Sequence, residues 1–326
     1  MLRKNTTIID CQCHLFPPKT LTRLRSRTTD PRLIREGNGE TLVMGAWRRR
    51  LSPSHKRLDR LVATMDAAGI TRTALSPNDP GPEWFGRDAP KVARETNTFI
   101  ARSVERHPDR LIGLGVLPLP AVEPSLREID HAVDELGLKG FLLYSNLKGR
   151  LPDDPRFESI FARLESLGLP LFIHPAKPVW VDPLADLEMI AAVGNMFEDT
   201  VALLRLILSG VLDRHPGLRL VCPHLGGALP FLIGRIEHQM TVLKRGPRHL
   251  KKRPVDYLRQ VTFDIVSPQP SAIRLMLDLV GPGQLVFGSD YPWVQPSLVL
   301  DTLESLRLKP AELRAILFEN AQRLFD

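Results

Sequence analysis

Short apolar runs alternate with longer stretches of helical period along the whole chain. Eight runs are strand-like: residues 7–14, 73–76, 111–117, 140–144, 171–174, 218–223, 261–266 and 285–288. Between most of them lie amphipathic stretches with apolar residues every third or fourth position, over 56–68, 91–107, 124–136, 154–167 and 271–279. Strand alternating with helix predicts a parallel sheet, and eight such units predict closure into a (β/α)8 barrel. An open doubly wound sheet fits less well, because no glycine-rich phosphate loop follows the first run. No linker divides the chain, so residues 1–326 are expected to form one domain.

Two segments interrupt the alternation. Residues 19–50 separate the first strand from its helix, and within them 40–44 reads as a small extra strand. Residues 176–197 follow the fifth strand, with its helix expected over 202–212. Long loops after barrel strands sit at the catalytic end, so both are expected to wall the active site.

Polar residues at the carboxyl ends of barrel strands point at that site. Strand one ends Ile9-Asp10-Cys11-Gln12-Cys13-His14, and strand five ends Leu171-Phe172-Ile173-His174-Pro175. Strand six ends Val221-Cys222-Pro223-His224-Leu225-Gly226-Gly227, and strand eight Val286-Phe287-Gly288-Ser289-Asp290-Tyr291-Pro292. Three histidines and an aspartate thus converge from four strands, a donor set that suits a divalent transition metal, zinc first and manganese second. Period-two alternation turns Gln12 and His14 to the same side, expected to be the lumen, and Cys11 and Cys13 to the other.

Composition narrows the setting. The net charge is +7, and much of the excess lies early, at Arg23, Arg25, Arg27, Arg32, Arg35 and Arg48-Arg49-Arg50. No nucleic-acid recognition motif accompanies it, so a basic mouth that attracts a small anionic substrate explains it better. No run is long and apolar enough for a membrane span, and the basic start is not followed by a signal-like apolar core. Three cysteines, Cys11, Cys13 and Cys222, cannot make a paired framework, so a reduced, cytoplasmic setting is expected.

The motifs resemble those of the amidohydrolase-related family that includes aminocarboxymuconate semialdehyde decarboxylase and the resorcylate-type decarboxylases. The likeness runs through Ile9-Asp10 to His14 and Pro17, Phe172-Ile173-His174-Pro175, and His224-Leu225-Gly226-Gly227-Ala228-Leu229-Pro230. It continues through Gly234-Arg235, Phe287 to Pro292 and Glu319-Asn320-Ala321. It implies one divalent ion held by His14, His174 and Asp290, with Gln12 beside it. It also implies catalytic roles for His224, as proton shuttle, and Asp290. In such relatives an arginine at the place of Arg235 reaches a neighbouring subunit's site, so a homodimer is implied. The family's usual first motif is His-x-His or Glu-x-His. Gln12-Cys13-His14 departs from it, and a neutral glutamine is a weak ligand. Arg48, Arg49 and above all Arg50 on the first insertion, and Trp180 with Met196 and Phe197 on the second, are the further substrate-binding candidates, for a carboxylate and a flat ring respectively. These residues leave three activities open: a decarboxylase, a lactone or amide hydrolase working with the same apparatus, and a barrel that has lost its metal and binds without catalysis.

Overall fold

The computed structural model describes residues 6–180 and 182–326. All eight expected strands are present. They are β1 (Ile9–Leu15), β2 (Arg72–Pro77), β3 in two pieces (Leu111–Gly113 and Gly115–Val116), β4 (Phe141–Tyr144), β5 (Leu171–His174), β6 (Leu220–Cys222), β7 (Thr262–Asp264) and β8 (Leu285–Val286). Each pairs in parallel with the next. The break in β3 is a hand-over: Leu114 donates its amide to Leu75 on one side, and Gly115 donates to Gly140 on the other. Closure comes where Cys11 N donates to Phe287 O at 2.8 Å, Asp290 N to Gln12 O at 2.9 Å and His14 N to Tyr291 O at 2.8 Å. The result is a (β/α)8 barrel. Helices cover the outer face and side chains fill the inside, so the strands read as continuous apolar runs rather than alternating ones.

The outer helices follow local rules. In Leu58–Ala68 the buried residues are Leu61, Met65 and Ala68, one stripe of a 3.6-residue period, and the helix stops at Gly69 in the left-handed region. Several helices, among them Ala89–Arg106, Pro270–Val280 and Pro296–Ser305, start with proline in the first turn, where its missing N–H costs nothing.

The insertions depart from their sequence reading. The expected strand over 40–44 is the centre of a three-stranded antiparallel sheet, Arg32–Glu36, Gly39–Met44 and Trp47–Leu51. Its flanking strands are rich in arginine because one face lies in solvent, so they carry no apolar run to read. A second apolar cluster of Phe16, Leu24, Leu33, Leu42, Met44 and Trp47 takes in Ile190 of the second insertion, which ties the two insertions together. The helix expected over 202–212 begins earlier, at Asn195, runs to Leu208, and breaks at Gly210. That earlier start brings in a residue of the site.

Candidate active site

Alternation along β1 places Asp10, Gln12 and His14 on one side. Cys11 and Cys13 are buried in the main apolar core as free thiols. His14 pairs in register with Ser76 at the end of β2, and His174 with Tyr144 at the end of β4. The His14 and His174 rings meet edge to face with centroids 4.7 Å apart. Asp290 bridges two histidines, with Oδ1 3.3 Å from His14 Nε2 and Oδ2 3.7 Å from His224 Nε2. Gln12 Nε2 lies 3.4 Å from His224 Nε2. The structure therefore brings together the five residues Gln12, His14, His174, His224 and Asp290.

Hydrogen bonding fixes where the lone pairs point. The Ser76 hydroxyl donates to Cys13 O, so it accepts from His14 Nδ1–H at 2.7 Å, and His14 Nε2 is left with its lone pair facing Asp290. His174 Nδ1–H donates to Pro175 O at 2.8 Å, so its Nε2 is also unprotonated. Burial, with His14 alongside, holds the His174 imidazole well below the usual histidine range. Burial opposes ionisation of Asp290, yet the adjoining His14 and His224 rings outweigh it and hold the carboxyl well below its ordinary value. The His14 lone pair and the Asp290 carboxylate thus face each other beside the His174 ring, an arrangement that repels itself unless a proton or cation lies among them. His14 Nε2 and Gln12 Oε1 are buried with no hydrogen-bond partner, which fits oxygen and nitrogen donors awaiting an ion. Among the described residues no three acidic, cysteine or histidine side chains are already arranged to hold a metal ion.

His224 is built differently. Its Nδ1 lies 2.8 Å from Asp199 Oδ2, from the helix Asn195–Leu208. Burial pushes toward the neutral ring, but Asp199 and then Asp290 reverse this and raise its proton affinity well above normal. With Nδ1–H committed to Asp199, Nε2 takes or gives the proton that faces the site. Burial in turn pushes Asp199 up to about 6, opposed by its bond to His224.

Two further carboxyls brace the loops. Asp264 on β7 accepts the backbone N–H of His224 at 2.8 Å, and burial pushes it up to about 7. Asp10 accepts from Ser289 Oγ at 2.6 Å and from the Ser289 N–H at 2.9 Å, and burial pushes it too to about 7. They anchor strained backbone: His224, Leu225 and Asp290 sit at φ of 51°, 57° and 57°, rarely populated by such residues.

Three expected residues lie elsewhere. Arg50 is exposed and donates to Asn38 Oδ1 at 2.8 Å; strand alternation points its neighbour Arg49 inward instead. Arg49 is buried, grips Asp79 Oδ2 at 3.0 Å, and stacks over Trp47 at 3.9 Å, leaving Nε without a partner. Arg235 is exposed on the helix Leu229–Thr241. Trp180 is 42 % exposed and meets Phe197 edge to face at 5.7 Å. Sequence reasoning missed Asp199, Asp264, Asp10 and Ser76, and named Arg49 only together with Arg48 and Arg50. Asp199 left a readable signal: Ala202, Leu203 and Leu206 follow it at three, four and seven residues, so it is an acid on the buried stripe of an apolar helix.

A closed barrel with histidines and carboxylates gathered at the carboxyl ends of its strands defines the class of protein. The profile of the amidohydrolase family matches residues 9–326, and the chain belongs to that family. It is 34 % identical to a 2-amino-3-carboxymuconate-6-semialdehyde decarboxylase of Dictyostelium discoideum over 67 % of this chain, and the match spans 62 % of that protein's length. It is 29 % identical to a gamma-resorcylate decarboxylase of Rhizobium radiobacter over 82 % of this chain and 86 % of that protein. Among solved structures, the apo IDCase of Metarhizium anisopliae superposes with a TM-score of 0.90 at 28 % identity, covering 100 % of this chain and 98 % of that one. A dihydroxybenzoic acid decarboxylase of Polaromonas sp. JS666, with bound manganese and the inhibitor 2-nitroresorcinol, superposes with a TM-score of 0.81 at 24 % identity, over 98 % of this chain and 97 % of that one. No helix among the described residues is long and apolar enough to cross a membrane.

Proposed function

We propose that this chain is a metal-dependent, non-oxidative decarboxylase of a small aromatic or muconate-like carboxylic acid, and that all of it acts as one barrel domain. The observation that carries the reading is the gathering of His14, His174 and Asp290 at adjoining strand ends, beside the Asp199–His224 pair. The names of the relatives agree with it, since each acts on a carboxylate. His14, His174 and Asp290 would hold one divalent ion, with Gln12 Oε1 as a weak fourth donor. Zinc suits this set, and manganese is supported by the solved relative that carries it. When bound, the ion orients the substrate and stabilises negative charge as it develops.

The chain's own groups do the rest. Loss of CO2 leaves an electron pair on carbon, which a proton must meet. Protonated His224 gives that proton from Nε2, becomes neutral, and is reprotonated from solvent. Asp199 keeps Nδ1–H in place throughout, so only Nε2 exchanges. The unpartnered Nε of Arg49, beside Trp47 and Trp293, offers a donor to a second substrate oxygen. Trp180 and Phe197 form an apolar wall on the second insertion. Assembly as a homodimer with Arg235 near the partner's site is supported by the apolar residue one turn before it on the same helix: Phe231 is 83 % exposed. A clean monomer by light scattering at micromolar concentration would remove the dimer from this reading.

The test is a screen of benzoic, hydroxybenzoic and muconate-like acids for CO2 release by the metal-loaded protein. CO2 with the matching decarboxylated product supports the reading. Turnover of lactones or amides without CO2 overturns it in favour of a hydrolase.

A further inference from the structure

The arginines of the first insertion are largely neutralised: Arg23, Arg25, Arg32, Arg48 and Arg49 each pair with a carboxylate. The segment from Lys244 to Arg253 is different, with six lysines and arginines and no acid in its ten residues. It follows the helix Leu229–Thr241, which leads away from the carboxyl end of β6, and it precedes β7. It therefore lies at the amino end of the barrel, opposite the histidine cluster. Local bonds fix its path. Arg245 N donates to Gln239 O at 3.0 Å, Gly246 turns at φ 97° against Met240, and Lys251 N donates to Asp213 Oδ2 at 3.0 Å. The segment and the end of that helix enclose a cleft of about 540 Å³, walled by Arg248, Lys251, Lys252 and Arg253 beside Met240 and Leu250. That volume is within the range of small-molecule sites.

Three of these cations are positioned by neutral groups and stay uncompensated. Arg248 Nη2 donates to Lys244 O at 3.2 Å, and Lys251 Nζ donates to Asp213 O at 3.4 Å, both backbone carbonyls. Lys252 Nζ stands 5.9 Å from the centre of the Tyr257 ring. The carboxylates nearby are committed elsewhere. Asp256 pairs with Arg253 at 3.0 Å and reaches Arg259 at 4.0 Å, and Glu237 also faces Arg253. Asp213 accepts the Lys251 amide and faces the Tyr257 hydroxyl. Like charges around one open cleft repel one another and attract an anion. A single carboxylate would leave most of that charge unmet. A diphosphate group carries roughly two to three negative charges near neutral pH and can span several cations. Arg248 offers its planar fork to the phosphoryl oxygens, and the two lysines act as point charges. No aromatic side chain is among the residues that line the cleft, so nothing there stacks on a base. We propose that this cleft is a second binding site, for a diphosphate group held by Arg248, Lys251 and Lys252. It is independent of the reaction proposed for the histidine cluster.

Inorganic diphosphate is the probe, titrated calorimetrically into the full chain carrying His174→Ala, so that metal at the histidine cluster adds no heat. One diphosphate per chain is expected to bind, and to bind more weakly as salt rises past about 0.1 M. Arg248→Gln, Lys251→Gln and Lys252→Gln, all at the surface, should each weaken it about three- to tenfold, and the triple variant should abolish it. Lys91→Gln, which removes an exposed charge at the other end of the barrel, should leave it unchanged. ADP separates the two sources of the group: affinity equal to that of diphosphate places recognition in the phosphates alone, and a gain of about tenfold names a nucleotide. Four results would overturn the proposal. They are no saturable binding of diphosphate, unchanged affinity in all three single variants, inorganic phosphate binding as tightly as diphosphate, which marks an adventitious ion only, and displacement by a single-stranded oligonucleotide at far lower concentration, which marks a nucleic-acid surface.

Discussion

Asp199 and His224 stand 2.8 Å apart, carboxylate oxygen to Nδ1, although 25 residues and a complete change of element separate them. The pair fixes the tautomer of His224 and leaves a single exchangeable nitrogen toward Asp290 and Gln12. His224→Ala should keep the metal and lower kcat by about 10²–10⁴-fold, the usual contribution of a general acid. Asp199→Asn should cost about 10–100-fold in kcat with KM little changed, and should shift the pH–rate profile, because it alters the proton affinity of His224 rather than substrate contacts. A variant with unchanged kcat and pH profile would reduce Asp199 to a packing residue.

Gln12 and the metal make a second test. Replacing a neutral amide oxygen by a carboxylate strengthens the attraction to a divalent ion, so Gln12→Glu should bind zinc or manganese more tightly than the parent chain. Competition with a coloured chelator measures this directly. His174→Ala should leave well under one ion per chain by elemental analysis, and a full complement would show that the ligands have been misassigned.

Gly227 links packing to chemistry. It sits at φ 63°, and a Cβ there would collide with Met196 O and press on Thr200 Oγ1, both on the helix that carries Asp199. Gly227→Ala should therefore cost roughly 1–3 kcal/mol through left-handed strain and overpacking, and should also lower kcat by displacing Asp199. Thermal unfolding and kinetics on one preparation separate the two effects. Loss of stability with full activity would show that the helix moves without moving the pair.

These couplings show what the sequence could tell. The eight strands were legible because a barrel buries both faces of each strand, and the histidines were legible because strand ends are fixed places in such a fold. Asp199 was missed because its helix starts inside what reads as a loop, at Asn195, directly continuing the helical turn Ile190–Gly194. Arg49 could not be singled out from Arg48 and Arg50 because the edge strand Trp47–Leu51 is half exposed, and one residue of register decides which arginine is buried. Asp10 and Asp264 read as ordinary strand residues, since Asp264 is bound by backbone amides and Asp10 by the amide and hydroxyl of Ser289, 279 residues away, which no local pattern records.

Glu83, buried on the turn Pro82–Asp88 that follows β2, gives stability a pH dependence with a definite sign. In the unfolded chain its carboxyl loses its proton near the ordinary value of 4.5, whereas in the folded chain it holds it to about 8. Between those limits the folded state binds more protons than the unfolded one, so unfolding becomes easier as pH rises. The stabilisation is fully present below the unfolded value and is lost as pH climbs through the folded one, at up to about 1.4 kcal/mol per pH unit inside that window. Glu83→Gln removes the titration and keeps the shape. The difference in unfolding free energy between parent and variant should therefore shrink or reverse against the parent from about pH 5 to pH 8.5, then level off. Parallel curves for the two proteins would mean that Glu83 is ionised in the fold.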